Sequence, residues 1–147
     1  MLGSLSDGQI EMVLHQGPIG RIGCHADGRT YVVPVTYAYD GEAVYAHSGE
    51  GLKLQIMRKN PQVCFEVEHV DDLASWRSVI AQGEFEELGG AAAEAAMELL
   101  VLRLAPLTTG QTNTPAHGFT GDGPNRDRRL RVFRIRLKER SGRFEKR

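Results

Sequence analysis

The chain has 147 residues, a formal net charge of −1 and a hydrophobic content of 41%. That is enough chain to bury one core, and no run of apolar residues reaches the length of a membrane helix. Met1-Leu2-Gly3-Ser4 carries neither a basic region nor an apolar signal core, so the expectation is a cytoplasmic protein with one domain over 1–147.

Residues 5–16 read as an opening helix, with Ser6 as N-cap and Ile10, Val13 and Leu14 on one face. Gly17-Pro18 ends it, and 18–26 follow as a first strand. Asp27-Gly28 is a hairpin signal, because glycine takes a positive φ at little cost. Residues 29–39 predict a second strand, Asp40-Gly41 another turn, and 43–47 a third strand. A glycine loop, Ser48-Gly49-Glu50-Gly51, opens a helix from Leu52 to Lys59 with Leu52, Ile56 and Met57 as its apolar face; Asn60-Pro61 closes it.

Residues 62–69 alternate, with Val63, Phe65 and Val67 pointing one way. Residues 76–88 predict a long strand bent at Gly83. Residues 91–104 read as a helix with Met97, Leu100, Val101 and Leu104 on one stripe. Residues 105–127, rich in Pro, Gly, Thr and Asn, read as a long loop, functional or mobile. The last strand is expected over Leu130 to Leu137, with Arg131, Arg134, Arg136 and Lys138 outward and a bulge near Phe133. Hairpin-linked strands without regular βαβ alternation predict a small six-stranded antiparallel barrel, mainly β, with helices at its ends.

Cys24 and Cys64, the only cysteines, lack CxxC spacing and are expected to be buried free thiols. Charge is uneven. Residues 126–147 hold eleven basic and three acidic residues, a net +8, against seven basic and sixteen acidic, a net −9, before them. Such a segment can bind nucleic acid or a small anion, or pair with the acidic body.

The segment 45–61 carries the most chemistry. A strand runs through His47 and Ser48 into glycines and then a helix whose first turn holds Lys53. Helix N-termini present unpaired N–H groups, and a lysine beside them adds a full charge, which together suit a phosphate. The same residues also fit an ordinary helix start, with Ser48 as a cap and Lys53 in solvent, and Glu50 brings negative charge to that end. Val33-Pro34-Val35-Thr36 places a proline within a strand, marking a rim or bulge whose freed backbone groups suit the polar edge of a flat ring. Trp76, the only tryptophan, suits a core or dimer contact, or ring stacking. His117, in the long loop, is either a surface or a substrate-facing histidine. No HxxxH or GxSxG grouping exists, so neither a metal site nor a serine nucleophile is expected.

Taken in order, Gly20-Arg21-Ile22-Gly23, Val33-Pro34-Val35-Thr36-Tyr37, Tyr45-Ala46-His47-Ser48, Gly51-Leu52-Lys53, Asn60-Pro61-x-Val63-Cys64-Phe65, Trp76-x-Ser78-Val79 and Gly83-x-Phe85-x-Glu87 resemble the pyridoxamine 5'-phosphate oxidase-like FMN-binding split barrels, nearest to the nitroimidazole-resistance subgroup. The resemblance implies a homodimer with FMN at the subunit interface and a small-molecule substrate. It implies Val33, Pro34, Val35 and Thr36 along the isoalloxazine, His47 and Ser48 near the phosphate or ring edge, Lys53 on the phosphate and Ser78 near the flavin. It also implies partner contacts from residues 105–127 and the C-terminal strand, and it points to His47 for activity. Family oxidases carry a basic residue where Leu52 stands, and a C-terminal tryptophan that this chain lacks, so pyridoxamine phosphate oxidation is not expected. Split barrels of this kind also resemble deazaflavin F420 and haem binders, and a non-enzymatic nucleic-acid or partner-binding module using the basic strand is the reading from another class.

Overall fold

In a computed structural model, which describes residues 1–107 and 130–147, Ser6 sets the first helix. Its hydroxyl accepts the Gln9 N–H at 3.3 Å, while the Gln9 side chain accepts the Ser6 N–H at 2.8 Å, a reciprocal capping box. The helix, α1 (Asp7–Gln16), buries Ile10, Val13 and Leu14. A short strand that sequence reading does not anticipate, β1 (Leu2–Ser4), precedes it and pairs with the end of the chain.

β2 (Ile19–Ala26) and β3 (Arg29–Thr36) form the expected hairpin through Asp27 and Gly28, both at positive φ. The stretch 29–39, read as one strand, is two. β3 ends at Thr36, and β4 (Ala38–Tyr39) pairs with β5 (Ala43–Ser48) instead of β2. The cause is Tyr37. Its buried ring meets Phe65 edge-on at 4.9 Å, and its hydroxyl donates to the Leu14 carbonyl at 2.6 Å. Held inward by α1, Tyr37 carries the chain from one sheet rim to the other.

α2 (Leu52–Lys59) buries Leu54, Ile56 and Met57; Leu52, at its first turn, is only half-buried. β6 (Gln62–Asp72) buries Val63, Phe65 and Val67 as expected, and β7 (Ser75–Leu88) pairs along most of β8 (Arg131–Glu145). β8 runs well past the expected end at Leu137. Gly83 lies within β7 where a Cβ would come 2.7 Å from the Arg136 carbonyl oxygen, so the backbones of β7 and β8 approach closely there. The bulge, however, is not near Phe133, which pairs regularly with Glu87. It lies at Lys138, the extra residue between the Gln82–Glu139 and Gly83–Leu137 pairs. Val132 and Phe133 are both buried because they point to opposite faces and α3 (Gly90–Leu104) packs on this part of the sheet. α3 buries Ala96, Leu100 and Leu104 and half-buries Met97, while Val101, expected on that stripe, is exposed. Of the loop expected over 105–127, Ala105–Leu107 form a short 3-10 turn and the rest lies outside the described residues.

The strands form one antiparallel sheet in the order β3-β2-β6-β7-β8-β5-β4, with β1 on the far part of β8. Six long strands match the expected number; β1 and β4 are short additions. The sheet is not closed by hydrogen bonds. Its two rims, β3 and β4, are nonetheless joined by Tyr37 alone. α2 follows β5 and packs on β2 near this opening. Among the described residues no helix is long and apolar enough to cross a membrane.

Candidate functional site

β5 ends in His47 and Ser48, paired with Val132 and Arg131 of β8. Ser48 is buried, and its hydroxyl donates to the Gly49 carbonyl at 2.8 Å. It shapes the glycine loop and does not cap α2. The N-cap is Gly51, and no side chain caps it, so the first N–H groups of α2 have no side-chain partner there.

Lys53 sits in this first turn. It is half-buried and makes no hydrogen bond or ion pair among the described residues, and burial lowers its pKa. An ammonium in that setting favours an arriving anion. Glu50 does not oppose this. It pairs with Arg58 and, at 3.5 Å, with Arg131, while Arg58 reaches Glu87 at 2.7 Å. The hydrogen bond from Arg58 in particular holds the Glu50 carboxyl below its ordinary pKa. The glutamate's charge is thus matched by arginines.

Burial first, and the Lys53 charge second, lower the pKa of His47. The imidazole therefore remains neutral in the folded chain at a pH where an unfolded one takes a proton. Stability should be full at neutral pH, fall as pH drops through about 6.5, and level off below the depressed folded value. His47→Gln should flatten that fall, and thermal unfolding from neutral to mildly acidic pH measures it.

On β3, Val35 is buried and Val33 half-buried against the core, while Pro34 and Thr36 are exposed. β3 is a rim strand, where a proline's missing N–H costs no ladder bond. Thr36 stands two residues before Ala38, whose partner Tyr45 stands two before His47. The β3 rim and the His47–Lys53 segment therefore border the same opening. Ser78 does not join them within one chain. It pairs with Glu68 and Arg143, and β2 and β6 separate β7 from β3, about 14 Å at the usual strand spacing.

Trp76 lines a separate groove of about 630 Å³ with Leu5, Arg77 and Phe144. His117 lies outside the described residues. Cys24 is buried and Cys64 only half-buried; both are free thiols. Among the described residues no group of three metal-ligating side chains occurs. Cations of β8 pair with the acidic body, Arg134 with Glu86 at 2.8 Å and Lys138 with Glu84 at 2.9 Å. Sequence reading passed over Arg29 and Gln55, which share a groove of about 210 Å³ with Leu52 and Lys59. No spacing rule could have joined a hairpin arginine to a helix that distant in sequence.

The sequence model of the pyridoxamine 5'-phosphate oxidase family matches residues 6–144, nearly the whole chain. The chain belongs to this family. As a pyridoxamine 5'-phosphate oxidase family member it has the split-barrel fold, and solved structures agree. A FAD-binding protein from Mesorhizobium loti is 28% identical, with 100% of this chain and 98% of that one covered, at a TM-score of 0.79. A Bacteroides thetaiotaomicron protein assigned to 5-nitroimidazole antibiotic resistance shares the fold at 20% identity, 98% and 87% coverage and a TM-score of 0.72. An FAD binding protein from Mycobacterium smegmatis does so at 20% identity, 97% and 98% coverage and a TM-score of 0.64. An uncharacterized Rhizobium meliloti protein is 33% identical over 84 residues, which span 57% of this chain and 56% of that protein.

Proposed function

We propose that this family member is an FMN-binding oxidoreductase that works as a homodimer on a small-molecule substrate. The observation that carries the reading is Lys53, half-buried and unmatched by any described anion, at an uncapped helix N-terminus. The FAD-binding proteins from Mesorhizobium loti and Mycobacterium smegmatis, on the same fold, support a flavin.

Bound flavin supplies two-electron chemistry through its isoalloxazine. The protein supplies the setting. Lys53 and the first N–H groups of α2 hold the phosphate. The rim backbone of Val33 to Thr36 meets the polar edge of the ring. His47, which burial holds neutral, lies beside it and is the residue proposed for activity. Ser78 reaches a flavin held by the other protomer. A second copy also accounts for the outer face of the sheet. There Ile19, Val32, Val70 and Ile80, 51%, 63%, 53% and 47% exposed, fall on one side by strand alternation. The ion pairs of β8 favour a protein without a nucleic-acid partner.

The purified chain should be yellow, or become so on adding FMN, with one flavin per chain and the mass of a dimer in sedimentation. A monomer that takes up no flavin ends the reading. Uptake of deazaflavin F420 or haem in place of FMN replaces the cofactor and keeps the fold.

A further inference from the structure

We propose that the groove beside Trp76 is a second binding site, for a small apolar carboxylate, with Arg77 as its anion-binding group. The site does not rest on the flavin reading. Phe144, in its lining, stands twelve residues along β8 from Val132, the partner of His47.

The groove lies where the ends of β7 and β8 meet the start of the chain. The β6–β7 pairing skips Asp71, between the Val70–Trp76 and Asp72–Ser75 pairs. On the other side β1 pairs with the end of β8, Gly3 against Phe144. Leu5, just after β1, lies over Gly142, where a Cβ would come 2.7 Å from it. The space is about 630 Å³, within the roughly 300–1,000 Å³ of small-ligand sites. By strand alternation Arg77 and Phe144 point away from the face that carries Val70 and Ile80, so the proposed dimer leaves them uncovered.

The lining chemistry is selective. Leu5, Trp76 and Phe144 supply apolar surface. Arg77 is half-buried and makes no hydrogen bond or ion pair among the described residues. Its cross-strand partners are His69 and Phe144, neither of them an anion. Two carboxylates belong to the lining, and neither matches this charge. Asp71 is held by His69 at 3.1 Å, and Glu145, paired with Trp76, points to the opposite side of the sheet. Lys146 and Arg147 add positive charge to the lining. A half-buried guanidinium without a counter-ion favours an arriving anion, and its fork fits a carboxylate bidentately. Apolar walls beside it suit a monoanion with a hydrocarbon body.

The test uses the full chain as purified, titrated calorimetrically with 3-phenylpropionate and with its neutral amide. The acid should bind about tenfold tighter than the amide, or more. Arg77→Gln should remove that difference by weakening the acid while leaving the amide unchanged. Arg77 has no described partner to lose, so the variant should fold, and its unfolding temperature checks this. Trp76, the only tryptophan, should report the acid through a change in its fluorescence. No saturation by the acid below about 10 mM, equal binding of acid and amide, or an Arg77→Gln variant that keeps the acid's advantage would overturn the proposal. So would release of bound flavin by the acid, which would place it in the cofactor's site.

Discussion

Replacing Lys53 with alanine should weaken FMN binding by about 1.5–3 kcal/mol, roughly ten- to a hundredfold, and leave riboflavin binding unchanged. Both ligands offer the same ring and ribityl chain, and only FMN carries the phosphate. Apo-protein stability should not fall, because the lost ammonium is half-buried and makes no ion pair among the described residues. It should hold or rise slightly, which separates lost binding from lost fold. The lowered pKa of Lys53 adds a second signature. FMN affinity should decline with rising pH sooner than an ordinary lysine would predict, as the charge that attracts the phosphate disappears. Isothermal titration with the two ligands, at neutral and alkaline pH, measures all of this. An FMN affinity that survives the substitution would remove the phosphate assignment.

Phe65→Ala should cost about 3–5 kcal/mol of stability, an effect of similar size on a different property. Phe65 is fully buried, and its ring meets Tyr37 at 4.9 Å. Gly20 faces it so closely that a Cβ there would lie 2.2 Å from the ring. The ring therefore fills space that a glycine leaves, and its loss opens a cavity that backbone cannot easily close. At about 2–4 °C per kcal/mol for a chain near this size, the unfolding midpoint should drop by about 10 °C. Flavin binding should weaken as well, although Phe65 is no part of the proposed site, because it supports the residue that parts β3 from β4. Urea unfolding gives the first number and titration the second. A loss under about 1 kcal/mol would mean that the neighbouring side chains collapse into the space.

Elements whose cause is local were legible. Ser6 and Gln9 cap α1 within four residues, and Asp27-Gly28 turns its hairpin through its own torsions. His47, Ser48 and Lys53 lie near one another because one short segment, the end of β5 and the start of α2, carries all three. What sequence reading missed has distant causes. Nothing in the continuous β-prone run 29–39 signals a break at Tyr37, since the hydrogen bond that turns it inward ends on Leu14. The half of β8 after Lys138 is polar and shows little alternation, yet it is a strand because the N–H and C=O groups of β7 pair with it over Trp76 to Gln82. Ser78, which the resemblance sets near the flavin, lies on β7, with β2 and β6 between it and the β3 rim.

Tyr37 also governs how far the split can part. Thr36 and Ala38 stand on opposite lips of the opening yet flank a single residue, so their Cα atoms can be no more than about 7 Å apart. The slit is therefore a wedge. It is pinned shut at Tyr37, whose hydroxyl is tied to α1, and is free to widen only with distance from that pin. In the proposed pose, a flat ring laid along Val33 to Thr36 must therefore enter edge-on, its thin dimension across the slit beside Tyr37, with the chain to the phosphate running toward the wider end at α2.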